Sequence, residues 1–180
     1  MKKITLLTII LALTIIAFGC TPTTDNPNEI PGEIDTGNNE EIEEVVITPV
    51  DKVDVENLTL LDEYSIDFDN DEVEEKVAMY TVAGKDSNGE IAWDDGQNWL
   101  FVVHDTEKDY VLVDEYVQLG RIDFNIYTIE DDFYIATYSG RTASLTLNLY
   151  HYDRENDSFV KTTPFTTTGN VNMLKSSYGY

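Results

Sequence analysis

Cysteine is nearly absent from this sequence: a single one, Cys20, stands in 180 residues. A fold stapled by disulfides is thereby excluded, and so is a zinc site built on several thiolates. Histidine is almost as scarce, with two copies, His104 and His151. Nucleophilic catalysis that depends on an imidazole base has few places to stand. No G-x-S-x-G elbow, H-E-x-x-H pair or phosphate-binding glycine loop occurs, so no enzymatic activity is expected. Basic residues are also few: 11 Lys and Arg stand against 35 Asp and Glu, for a formal net charge of −24. Nucleic-acid binding rests on neutralising phosphates with Lys and Arg, so nucleic acid is not expected as a partner. Beyond residue 18 there is no apolar run near the roughly 20 residues of a spanning helix, and no convincing helical period.

The N-terminus is where apolar residues concentrate. Lys2 and Lys3 precede a run from Ile4 to Phe18 broken only by threonines, a length that suits the core of a signal peptide. It closes on Ile16-Ala17-Phe18-Gly19-Cys20. This arrangement resembles the lipobox of bacterial lipoproteins, in which a small residue precedes a lipidated cysteine. The resemblance implies removal of residues 1–19, acylation of Cys20, and a membrane partner reached through that anchor on the extracytoplasmic side of the cell envelope. An ordinary secretory signal would be cut at the same bond but would leave a lone thiol. Residues 20–46 follow as an acidic segment rich in Thr, Asn, Pro and Gly. Its isolated apolar residues do not offset the entropy of ordering, and the spacing predicts a disordered, self-repelling tether.

From residue 47 to 180 the pattern turns to β. Val77–Gly84, Trp99–Val103 and Tyr110–Val113 are apolar on both faces and read as buried strands. Two segments alternate: Ile122, Phe124 and Ile126 against Arg121, Asp123 and Asn125, then Leu145, Leu147 and Leu149 against Ser144, Thr146 and Asn148. Each reads as a strand with one buried face, the isoleucine and leucine faces inward. Short, turn-rich links between them imply antiparallel hairpins, hence an all-β meander forming a sandwich or a partly closed barrel. One link is longer. Lys85–Asn98 carries turn signals at Ser87-Asn88-Gly89 and Asp94-Asp95-Gly96, and long loops on a short-looped scaffold tend to carry function or form a small extra hairpin.

The sequence IDFDNDEVEEK, Ile66–Lys76, sets Asp67, Asp69 and Asp71 at alternate positions. A loop curling round one ion points every second side chain inward, and calcium takes six to eight oxygens. The seventh place, Val73, offers its carbonyl, and Glu75 stands ninth. The loop is not an EF-hand: its sixth place is Glu72 where glycine is usual, and its twelfth is Ala78 where a bidentate glutamate is needed. It resembles instead the calcium loops of FG-GAP or VCBS-type repeats. The resemblance implies Asp67, Asp69, Asp71 and Glu75 as side-chain ligands, Val73 as a carbonyl ligand, and calcium as the bound ion. A solvated acidic turn is the alternative in so acidic a chain.

Aromatics are plentiful, with 11 tyrosines and two tryptophans. Trp93, beside Asp94, Asp95 and Gln97, could stack on a sugar ring while the polar groups read its hydroxyls, or could lie as a lid over the core. The expectation is therefore a non-catalytic envelope protein that binds a partner at the surface or serves as a structural module, with a carbohydrate-binding module as the alternative.

Overall fold

The computed structural model describes residues 43–175, apart from 131, 168, 170 and 173. The signal, Cys20 and most of the expected tether lie outside the described residues. Among the described residues nine strands follow in order: β1 Glu44–Ile47, β2 Thr59–Ile66, β3 Glu75–Thr81, β4 Gly96–His104, β5 Asp109–Gln118, β6 Gly120–Ile129, β7 Asp132–Arg141, β8 Ser144–Asp153 and β9 Ser158–Thr166. β1 begins at Glu44, so the last residues assigned to the tether belong to the sheet.

The strands form two antiparallel sheets, a four-stranded one in the order β2-β3-β4-β5 and a five-stranded one in the order β1-β9-β8-β7-β6. Each is a meander of hairpins, and the step from β5 to β6 changes sheet through the single residue Leu119. Leu119 has a positive φ of 48°, the sharp reversal that so short a link requires. Gly120 starts β6 against β7, where a Cβ would overlap the Gly140 carbonyl oxygen; glycine lets the two backbones approach. Among the described residues the two sheets share no strand, so no barrel closes.

The core lies between the sheets. Val77, Met79, Phe101 and Val103 come from the first sheet, and Ile122, Ile135, Tyr150 and Phe159 from the second. β3 is buried at nearly every position, as its continuous apolar run predicts for a central strand. In β6 the expected face is inward: Ile122 is in the core, with Phe124 and Ile126 packed against it. In β8 the faces are reversed. Tyr150 is fully buried and Tyr152 packs on the core, so Leu145, Leu147 and Leu149, one residue out of phase, take the opposite face and stay partly exposed. The physical reason is Tyr150 itself. Its ring fills more of the core than a leucine, and its hydroxyl finds the Leu112 carbonyl at 3.2 Å across the sandwich, so no polar group is stranded.

Candidate functional site

The aspartate triplet occupies the β2–β3 connection. One carboxylate oxygen from each of Asp67, Asp69 and Asp71 lies within 4.8 Å of the others, a group able to hold a metal ion. The loop is shaped by its own acids. The Asp71 amide donates to Asp67 Oδ1 and Asp69 Oδ1, both at 3.1 Å. Glu72 N donates to Asp67 Oδ2 at 3.1 Å, and Val73 N to Asp71 Oδ1 at 2.7 Å. These local bonds are the turn chemistry that aspartate brings to a loop. The missing glycine is replaced by strain: Glu72 adopts a φ of 73°, a left-handed value that costs an ordinary side chain about 1–2 kcal/mol, while Asn70, at 62°, is a residue type that enters this region readily.

The loop is bolted to the core at Phe68. Its ring meets Tyr152 at 4.6 Å and Phe159 at 5.3 Å. Its amide donates to Glu75 Oε2 at 3.0 Å. Glu75 is 1% exposed, yet its Oε1 has no hydrogen-bond partner. Burial, with Asp69, Asp105 and Asp71 adding to it, pushes the Glu75 carboxyl up to about 7 despite the Phe68 amide. Burial likewise raises Asp69, and the neighbouring Asp71, Asp105 and Asp67 add to it. A buried carboxylate that faces like charges and leaves one oxygen unpartnered is costly, and either a proton or a cation at that oxygen answers both defects. Val73 enters through its amide, and its side chain is half-exposed.

Two clusters at the same end were not foreseen. His104 donates or accepts at both nitrogens: Nδ1 is 3.0 Å from Asp109 Oδ2 and Nε2 is 3.0 Å from the Tyr80 hydroxyl. Asp109, fully buried, also takes Lys52 Nζ at 2.8 Å and the Val53 amide at 2.7 Å. Burial pushes Asp109 up, but Lys52, the Val53 amide and His104 outweigh it and hold it low. None of these residues lines the cleft at Trp93. The arrangement buckles the segment before β2 onto the β4–β5 hairpin, where His104 and Asp109 are cross-strand partners. In the β8–β9 turn, Asp157 accepts from Lys108 Nζ at 2.5 Å, from the Tyr110 hydroxyl at 2.5 Å and from that of Tyr152 at 2.6 Å. These donors draw its carboxyl down to about 2. His151 lies on the leucine face of β8, its ring 6.0 Å from Tyr134.

The long β3–β4 connection folds into a small hairpin, with Lys85 bridged to Ile91. It presents Trp93 flat against Trp99, ring centroids 5.6 Å apart and planes 17° from parallel. Trp99 is core, as its strand predicts, while Trp93 is 50% exposed. Trp93, Asp94, Asp95 and Gln97 all line one cleft of about 760 Å³, so the residues picked from this loop are brought together. None of the aspartate-loop residues lines it.

No family model matches this chain, and no curated protein or solved structure matches it. The functional reading therefore stands on the residues and their geometry.

Proposed function

We propose that this chain is a lipid-anchored protein of the bacterial cell envelope, held outside the cytoplasm through Cys20, whose β domain is non-catalytic and stabilised by calcium. In this reading Asp67, Asp69, Asp71 and Glu75 supply carboxylate ligands and Val73 a carbonyl. The observation that carries the calcium part is the group of Asp67, Asp69 and Asp71 carboxylates, with the Glu75 Oε1 buried and unpartnered and within electrostatic influence of Asp69 and Asp71. An all-oxygen donor set without Cys or His disfavours zinc, and an irregular loop rich in carboxylates suits calcium better than magnesium, which demands a near-ideal octahedron and keeps its waters. The site acts as a clip between β2 and β3. Its consequence is a rigid domain displayed at the surface for binding or structural interaction.

The lipid anchor is tested by detergent-phase partition of the protein produced in a bacterial host, wild type against Cys20→Ser. Wild type is expected in the detergent phase and the variant in the aqueous phase. Equal aqueous partition of both would remove the anchor from the reading. The metal is tested by thermal melts of wild type and Asp69→Ala with chelator, then with calcium. Loss of the calcium shift in the variant supports the clip, and equal destabilisation in both conditions opposes it.

A further inference from the structure

The cleft beneath Trp93 is a built cavity at the far end of the molecule's long loop, and its chemistry selects a ligand. Its floor is apolar, with Leu61, Met79, Val117 and Ile122 around the buried Trp99. Trp93 lines its wall and is half-exposed, although one face of its indole is stacked on Trp99. That indole is held in place rather than draped. The Trp93 amide donates to Ile91 O at 3.0 Å, the Ala92 amide to Gly84 O at 2.9 Å, and the Leu119 amide to Asp95 O at 2.7 Å. A ligand that stacks there meets a surface whose ordering cost is already met by the fold.

The rim carries four carboxylates, Asp62, Asp94, Asp95 and Asp123, against one guanidinium, Arg121. Arg121 is paired with Asp123. Among the described residues Asp62, Asp94 and Asp95 form no ion pair. An anionic ligand is thus repelled, and a neutral sugar would draw nothing from the charge of the three exposed carboxylates. A cation with an apolar body satisfies every part: its charge faces the carboxylates, its methyl or methylene groups lie on the indole face, and the ring quadrupole attracts it. The net charge of −24 adds long-range attraction of the same sign.

We propose that this cleft binds an organic cation, a substituted ammonium group stacked on Trp93 and flanked by Asp94, Asp95 and Asp62. The site gives the surface-binding role proposed above a ligand class, but it needs no metal at the aspartate loop, whose residues lie outside the cleft.

The test uses the tryptophan fluorescence of the full chain, titrated in chelator with choline and, separately, with its neutral isostere 3,3-dimethylbutan-1-ol and with cellobiose. Choline is expected to give a saturable change, with the isostere at least tenfold weaker and the choline affinity falling as salt rises. Trp93→Ala should weaken choline binding at least tenfold, read by calorimetry because the reporter is lost. Asp94→Asn with Asp95→Asn should weaken it several-fold while leaving the melting temperature unchanged, which keeps the test decisive if Trp93→Ala unfolds. A response equal for choline and its isostere, no saturable response to choline, or saturation by cellobiose alone would overturn the proposal. Choline binding that persists in chelator while calcium fails to shift the melt would sink the calcium clip and leave this site standing.

Discussion

Replacing Glu75 by glutamine should stabilise the domain without calcium and lose that advantage with it. The substitution keeps the shape and the acceptor for the Phe68 amide but removes the charge. In chelator, the wild-type domain holds a carboxyl whose folded value, about 7, lies above its ordinary 4.5. A raised acid destabilises the fold as pH rises through that window, because the unfolded chain gives up its proton first. By pH 7.5 the cost is on the order of 3 kcal/mol. A buried glutamine amide forfeits part of the gain by leaving polar atoms imperfectly paired, roughly 1–2 kcal/mol. The net expectation is a stabilisation of about 1–2 kcal/mol, or a melting temperature higher by roughly 5 °C for a domain of this size. Calcium cancels or reverses that advantage. With a Kd of about 10⁻⁴–10⁻³ M, as in extracellular modules, 10 mM calcium adds about 1.4–2.7 kcal/mol to wild type, and the variant should gain little. Differential scanning calorimetry at pH 7.5, in chelator and in 10 mM calcium, reads both effects. A variant that melts below wild type in chelator, or that gains as much from calcium, would refute the reasoning.

Three further outcomes follow from other parts of the fold. Asp157, drawn down to about 2 by Lys108, Tyr110 and Tyr152, contributes stability that is fully present above about pH 4 and is lost as pH falls through 2. Asp157→Asn should therefore lower the melting temperature at pH 6, with the gap to wild type closing by pH 2, measured by circular dichroism. Gly120→Ala drives a methyl group into the Gly140 carbonyl and the Arg141 backbone; it should cost about 1–3 kcal/mol in urea unfolding with an unchanged m-value. Glu72→Gly relieves the left-handed strain at φ 73° and should raise stability by up to about 1 kcal/mol in chelator, whereas Glu72→Ala should not.

Most of the architecture was legible in period and turn chemistry. The continuous runs became β3, β4 and β5, and Ile122, Phe124 and Ile126 marked the inward face of β6. β8 misled because alternation of leucines says which residues share a face but not which face wins. Tyr150 decided that by pairing its hydroxyl with a carbonyl on the other sheet, a contact no local pattern carries. The aspartate spacing correctly brought three carboxylates together, and the left-handed turn formed without glycine because side-chain bonds from Asp67, Asp69 and Asp71 hold it. Glu75 was picked by its place in the calcium-loop pattern that the segment resembles; its burial follows from opening the central strand β3. The Asp109 and Asp157 clusters were hidden for a different reason. Each joins residues roughly fifty positions apart, and in a chain with 35 acids no single aspartate announces its partner. For Asp109 a signal did exist, in the tight hairpin that sets it opposite His104.

The metal clip is tested most directly by isothermal titration of calcium into the chain, with magnesium at equal concentration and with Asp69→Ala alongside. A single calcium site per chain, absent in the variant and not reproduced by magnesium, is the result expected from the grouped carboxylates of Asp67, Asp69 and Asp71. No saturable heat, or heat that survives Asp69→Ala unchanged, would mean that the aspartates form a solvated turn and that Glu75 is buried there without a cation.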